Sequence, residues 1–146
     1  MKILKKTSSI IHHANDQGWE HIFFIVNPVT VILAKLIIEK FNINRKNITI
    51  YSLRDTDISL IKGEHKHLKK SLFYRLLIKL GLKPVSQEVL KNINKKNKPF
   101  LLYCSWCFHE SISTPSINRM LESKLSKGHF YIEEGQGSYM NHIPFT

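Results

Sequence analysis

The stretch His21-Ile22-Phe23-Phe24-Ile25-Val26-Asn27-Pro28-Val29 decides the fold. A short apolar run without polar alternation reads as a strand buried on both faces, the habit of a parallel sheet. Asn27-Pro28 breaks the run, and Pro28 suits the first turn of a helix, where its backbone N–H is not needed. Val29 to Lys40 carries apolar residues on nearly every face, which predicts a deeply packed helix. Asn42 to Asn47 is a polar turn, and Ile48 to Leu53 reads as a second strand that ends at Arg54-Asp55. Strand, helix and strand within about thirty residues make a βαβ unit, whose crossover is expected to be right-handed.

Working outward, Asp55 to His67 reads as a loop with Gly63 as a breaker. Leu68 to Leu80 is a predicted helix: Leu68, Leu72, Phe73, Leu76, Leu77 and Leu80 share one face, while Lys69, Lys70, Arg75 and Lys79 point elsewhere. Gly81 stops it and Pro84 follows. Val85 to Ile93 reads as another short helix, and Asn94 to Lys98 as a basic turn. Phe100 to Tyr103 is a third strand, Pro115 to Leu125 a helix capped by Ser113 or Thr114, and Phe130 to Ile132 a fourth strand. Residues 1–20 read as an N-terminal arm, with His12-His13 mobile within it. Residues 21–146 read as one Rossmann-like α/β domain: an open, mostly parallel sheet with helices on both faces.

The 146 residues suffice for one domain with a real core. No apolar run is long enough to span a bilayer, and Met1 to Asp16 lacks the apolar segment and cleavage site of a signal peptide. A cytoplasmic protein is therefore expected. The net charge of +11 is uneven. Residues 62–98 hold eleven Lys/Arg against Glu64 and Glu88, a local charge of +9. Such a band is either a solvated lysine-rich surface, which ranks slightly ahead, or a site for phosphate, an anionic membrane face or an acidic polymer. Cys104 and Cys107 in Cys-Ser-Trp-Cys follow a strand-like run, but the remaining thioredoxin pattern is missing and no His pair has zinc-finger spacing. Two buried reduced thiols are expected.

The chemistry-bearing stretch is Phe130-Tyr131-Ile132-Glu133-Glu134-Gly135-Gln136-Gly137-Ser138-Tyr139. In a parallel α/β sheet, ligands bind beyond the carboxyl ends of the strands. Adjacent carboxylates on an extended segment point to opposite sides, so one of the two can face a cleft there. Partly buried, such a carboxylate can take a proton from an attacking hydroxyl. Gly135 and Gly137 permit close ligand approach, and Ser138 and Tyr139 add hydroxyls for sugar recognition. An acidic loop joining strand to helix accounts equally well for the motif.

The strand followed by Glu133-Glu134-Gly135 resembles the acidic Asp/Glu-Asp/Glu-Gly motif of bacterial sialyltransferases with the GT-B fold. It is most similar to the capsule polysialyltransferase and lipooligosaccharide sialyltransferase groups. Phe23-Phe24-Ile25-Val26-Asn27-Pro28 also looks like the first strand and loop of such enzymes. The resemblance implies an acceptor-side, N-terminal Rossmann-like half, with Glu134 as the general base and Glu133 beside it. It implies transfer of sialic acid from CMP-sialic acid to a glycan hydroxyl, with inversion and without a bound metal or other cofactor. The family's donor half carries His-Pro and Ser/Thr motifs. This chain has no His-Pro dipeptide, and His142-Ile143-Pro144 is not one. The expectation is therefore a domain lacking its donor-binding half and weakly active or inactive alone.

Other residues have two readings each. His109 is either a cleft residue near the acidic motif or a surface-loop histidine. Asn27 either bonds an acceptor in the crevice or caps the following helix, and the cap is favoured. Arg54 and Asp55 share that ambiguity. Glu64-His65-Lys66-His67 has ligand-like residue types in a loop, but its lysines disfavour a cation, so no metal is expected. Leu68 to Leu80 either packs on the sheet, the favoured reading, or lies peripherally on an anionic membrane at the inner face. The rival to an enzyme is a non-catalytic domain binding a polyanionic glycan or nucleic acid. No nucleic-acid motif supports the latter, and Asn-Pro-Val-Thr after the first strand is not a phosphate loop.

Overall fold

A computed structural model describes residues 2–25, 27–52, 56–67, 76, 79–80, 84–104 and 120–132, with backbone alone for 2–7, 67 and 84–88. The described elements are α1 (Lys2–Asp16), β1 (Glu20–Ile25), α2 (Pro28–Lys40), a 3-10 turn (Arg45–Asn47), β2 (Ile48–Ser52), β3 (Glu64–His67), α3 (Pro84–Lys96), β4 (Phe100–Cys104) and β5 (Ser126–Tyr131). The five strands form one sheet in the order β3-β2-β1-β4-β5. Every pairing is parallel.

β1 is the central strand and β2 and β4 flank it. All residues of the three are buried, which explains the apolar runs Ile22 to Ile25 and Phe100 to Tyr103. Alternate side chains serve opposite faces. Ile22, Phe24, Tyr51, Phe100, Leu102 and Cys104 face one side, under Val89 and Ile93 of α3 and Met120. Phe23, Ile25, Ile48, Ile50, Leu101 and Tyr103 face the other, under Ile11 and Ala14 of α1 and Val31 and Ala34 of α2. On that second face Phe23, Tyr103 and Phe130 stack in a row, with centroids 4.3 and 5.2 Å apart. An open parallel α/β sheet covered by helices on both faces agrees with the fold class read from sequence.

Four readings need correction. Residues expected to form a mobile arm are α1, a helix fixed to the core. Ile11 and Ala14 are buried. Gly18, at φ +66°, closes the helix with Gly18 N–H donating to Asn15 O and Trp19 N–H to Ala14 O. The Asn15 side chain then ties this end to the end of α2, donating to Asn42 O and accepting from Asn44 N–H. His12 and His13 lie edge-on to Phe41 and Trp19. Second, Glu64 to His67 is a strand, β3, rather than part of a loop. Third, α3 runs on to Lys96 through the expected basic turn, and Asn97 at φ +48° ends it. Fourth, α2 is not packed all round: Val29, Ile32 and Leu36 lie open to solvent.

β5 starts at Ser126, four residues before the predicted start, and pairs with β4 across a register irregularity. Of the expected helix Leu68 to Leu80, only Leu76, Lys79 and Leu80 are described. Both leucines are exposed instead of packed on the sheet. Of Pro115 to Leu125, residues 120–125 are described.

Candidate functional site

The chain runs outward from β1 through β2 to β3, then returns across β1 to β4 and on to β5. Strand order therefore reverses between β1 and β4. In open α/β sheets a crevice forms beyond the carboxyl ends of the strands at such a reversal. The described residues at that edge are Asn27 after β1, Ser52 ending β2, His67 ending β3, Cys104 ending β4, and Tyr131 and Ile132 at the end of β5. Ile132 N–H donates to Cys104 O at 2.9 Å, so the β4–β5 ladder holds up to the last described residue. Ile132 itself is buried in the core beneath α1 and α2.

Asn27 acts as the N-cap of α2. Thr30 N–H donates to Asn27 Oδ1 at 2.9 Å, and Asn27 N–H donates to Thr30 Oγ1 at 3.2 Å, a reciprocal capping pair. This bears out the cap reading, and it commits the side-chain oxygen that an acceptor would otherwise use. Of the predicted site, Glu133, Glu134, Gly135, Gly137, Ser138, Tyr139 and His109 lie outside the described residues, as do Arg54, Asp55 and Cys107.

The carboxyl edge holds a pair that sequence reading missed. Cys104 Sγ lies 2.8 Å from His129 Nε2 across the β4–β5 ladder. Burial pushes the thiol pKa up to about 12, which favours the neutral thiol beside the imidazole. The His129 ring lies 4.5 Å from Tyr131, which stands exposed at the rim. Parallel register is what joins the pair: Leu102 lies opposite His129 and Cys104 opposite Tyr131, on one face. No local spacing in the sequence signals it. At the same edge Ser52 Oγ bonds His65 Nε2 at 2.9 Å.

A second cluster occupies the opposite, amino edge. Glu20, which opens β1, is only 3 % exposed. Its Oε1 accepts from the Thr49 hydroxyl and from Lys96 Nζ at 2.7 Å, and Lys96 also reaches Glu64 Oε2 at 2.7 Å. Lys66 lies 3.3 Å from the other Glu64 oxygen. Hydrogen bonding from Lys96 holds the Glu64 carboxyl below its ordinary range. Burial acts to lower the Lys96 pKa, but the bonds and charges of Glu20 and Glu64 outweigh it and the net shift is upward. These charges neutralise one another across β1, β2, β3 and α3. The arrangement is a clasp holding α3 on the sheet, and Glu64 and His65 are thereby committed to protein partners.

His21 is fully buried on the opposite face of β1. Its Nδ1 lies 3.0 Å from the Tyr103 hydroxyl, and its Nε2 has no hydrogen-bond partner among the described residues. Desolvation lowers its pKa to about 4, and burial raises that of Tyr103. Both side chains stay neutral at ordinary pH.

Fold and strand order together define an open, all-parallel α/β protein with one reversal, between β1 and β4. The chain matches no protein-family description, no characterised protein and no solved structure. No described helix is long and apolar enough to cross a membrane.

Proposed function

We propose that the chain is the acceptor-side domain of a sialyltransferase-like glycosyltransferase of the GT-B kind, acting on surface polysaccharide or lipooligosaccharide. One observation carries the reading. The sequence runs from Ile132, held by the Cys104 carbonyl at the carboxyl edge of the sheet, directly into Glu133-Glu134-Gly135. That edge is where an α/β sheet presents catalytic groups to ligands. In this proposal Glu134 accepts the proton of the attacking glycan hydroxyl as that oxygen bonds the anomeric carbon of sialic acid and CMP departs. Gly135 and Gly137 let the acceptor approach the backbone, while Ser138, Tyr139 and His109 supply hydrogen bonds to it. Asn27 takes no direct part, because its side-chain oxygen caps α2.

The proposal is tested by titrating the chain with galactose- and sialic-acid-terminated oligosaccharides in a calorimeter, at low and high salt. Saturable binding that survives added salt and changes with Glu134→Gln supports the acceptor domain. Binding of polyanions alone, falling steeply with salt and indifferent to Glu133→Gln and Glu134→Gln, would favour the non-catalytic rival.

A further inference from the structure

We propose that the outer face of α2, with the loop beside it, docks on an anionic lipid surface. Val29, Ile32 and Leu36 recur at spacings of three and four, so they form one stripe along the helix. Their exposures are 45, 52 and 55 %. Leu60, 54 % exposed, stands across a groove that Lys35, Ile38, Glu39, Arg45 and Lys62 also line. The buried face of α2 is satisfied by Thr30, Val31 and Ala34 against the sheet, so the outer leucine and isoleucine have no role in that contact.

The charges around the stripe select the occupant. Lys35 and Lys40 share the helix with the stripe, and Arg45 and Lys62 line the adjoining groove with Lys35, against Glu39, which lies 3.7 Å from Lys35. Lys40 Nζ lies over the Phe41 ring, 5.8 Å from its centroid. An aliphatic stripe flanked by cations matches the boundary between acyl chains and anionic headgroups. A second copy of this chain would bring the same cations against themselves, within a protein of net charge +11. A hydrated acidic polysaccharide would leave the aliphatic stripe uncovered. The inference is independent of the glycosyl-transfer reading and stands if that reading fails.

The test is co-sedimentation of the full chain with phosphatidylcholine vesicles, with and without phosphatidylglycerol. Wild type should partition onto the anionic vesicles and not the neutral ones. Ile32→Ser with Leu36→Ser should weaken partitioning about tenfold or more while the far-ultraviolet circular dichroism stays unchanged. Arg45→Gln with Lys62→Gln should weaken it without touching the stripe. The proposal is overturned if wild type ignores anionic vesicles, or if the Ile32/Leu36 variant binds as well as wild type. It also fails if Leu76→Ser with Leu80→Ser abolishes binding while the α2 variants do not. A dimer in solution that the Ile32/Leu36 variant dissolves would put a second copy on this face instead.

Discussion

His21 is a titratable ring held where water cannot reach it, with one nitrogen on Tyr103 and the other unpartnered among the described residues. Unfolded, it titrates at about 6.5, the ordinary histidine value. Folded, its pKa is lowered to about 4. The unfolded chain therefore binds a proton that the native chain refuses, and stability falls as pH drops from 6.5 toward 4. The expected loss is about 2 kcal/mol between pH 7 and pH 5, above the range where carboxylates titrate. Urea midpoints across that interval measure it. A His21→Gln variant should show a much flatter slope, and an unaltered slope would contradict the assignment. At the other edge, Lys96→Met removes the cation from a carboxylate that is 3 % exposed. The expected cost is about 2–3 kcal/mol, and adding Glu20→Gln should restore much of it, because the penalty is the stranded charge. If the double variant is no more stable than Lys96→Met, the clasp is not electrostatic.

At the scale of elements, β1, α2, β2 and β4 were legible because burial on both faces of a parallel sheet leaves an uninterrupted apolar signature, as in Phe23-Phe24-Ile25 and Leu101-Leu102-Tyr103. Of the edge strands, β3 was missed and β5 was read only from Phe130 on. β3 is Glu-His-Lys-His and β5 begins Ser-Lys-Gly-His, and the charged and small residues that protect an exposed edge erase the strand signal. α1 was missed because its contact with the core rests on few residues, Ile11 and Ala14 among the described side chains, amid lysines and histidines. Gly63 was read as a breaker, but its role is to admit β3. A Cβ there would lie 2.8 Å from Ile48 Cγ2 and 3.1 Å from Ile48 O. Gly63→Ala should force the approach to β3 away from β2 and cost about 1–3 kcal/mol. An unchanged thermal midpoint would mean that the loop yields freely.

Over the whole molecule, the strand order β3-β2-β1-β4-β5 sets one reversal, and the chain's chemistry divides between two edges. The amino edge is closed by internal ion pairs. The carboxyl edge ends in Asn27, Cys104 and Ile132 and continues in sequence to Glu133-Glu134. Sequence reading found the Glu-Glu-Gly motif because it follows a strand directly. It missed the Cys104–His129 pair and the Glu20–Lys96–Glu64 clasp, since the first arises from parallel register between residues 25 apart and the second from helix–sheet contacts spanning 32 and 76 residues. The central claim is that a glycan binds at the carboxyl edge. The measurement that reaches it most directly is a nitrogen-15 NMR titration of the labelled chain with a sialylated oligosaccharide, repeated on Glu134→Gln. The account predicts saturating shifts for Asn27, Cys104, Ile132 and residues 133–139, weakened or altered in the variant. Shifts confined to residues 62–98, lost on adding salt and identical in both proteins, would contradict it.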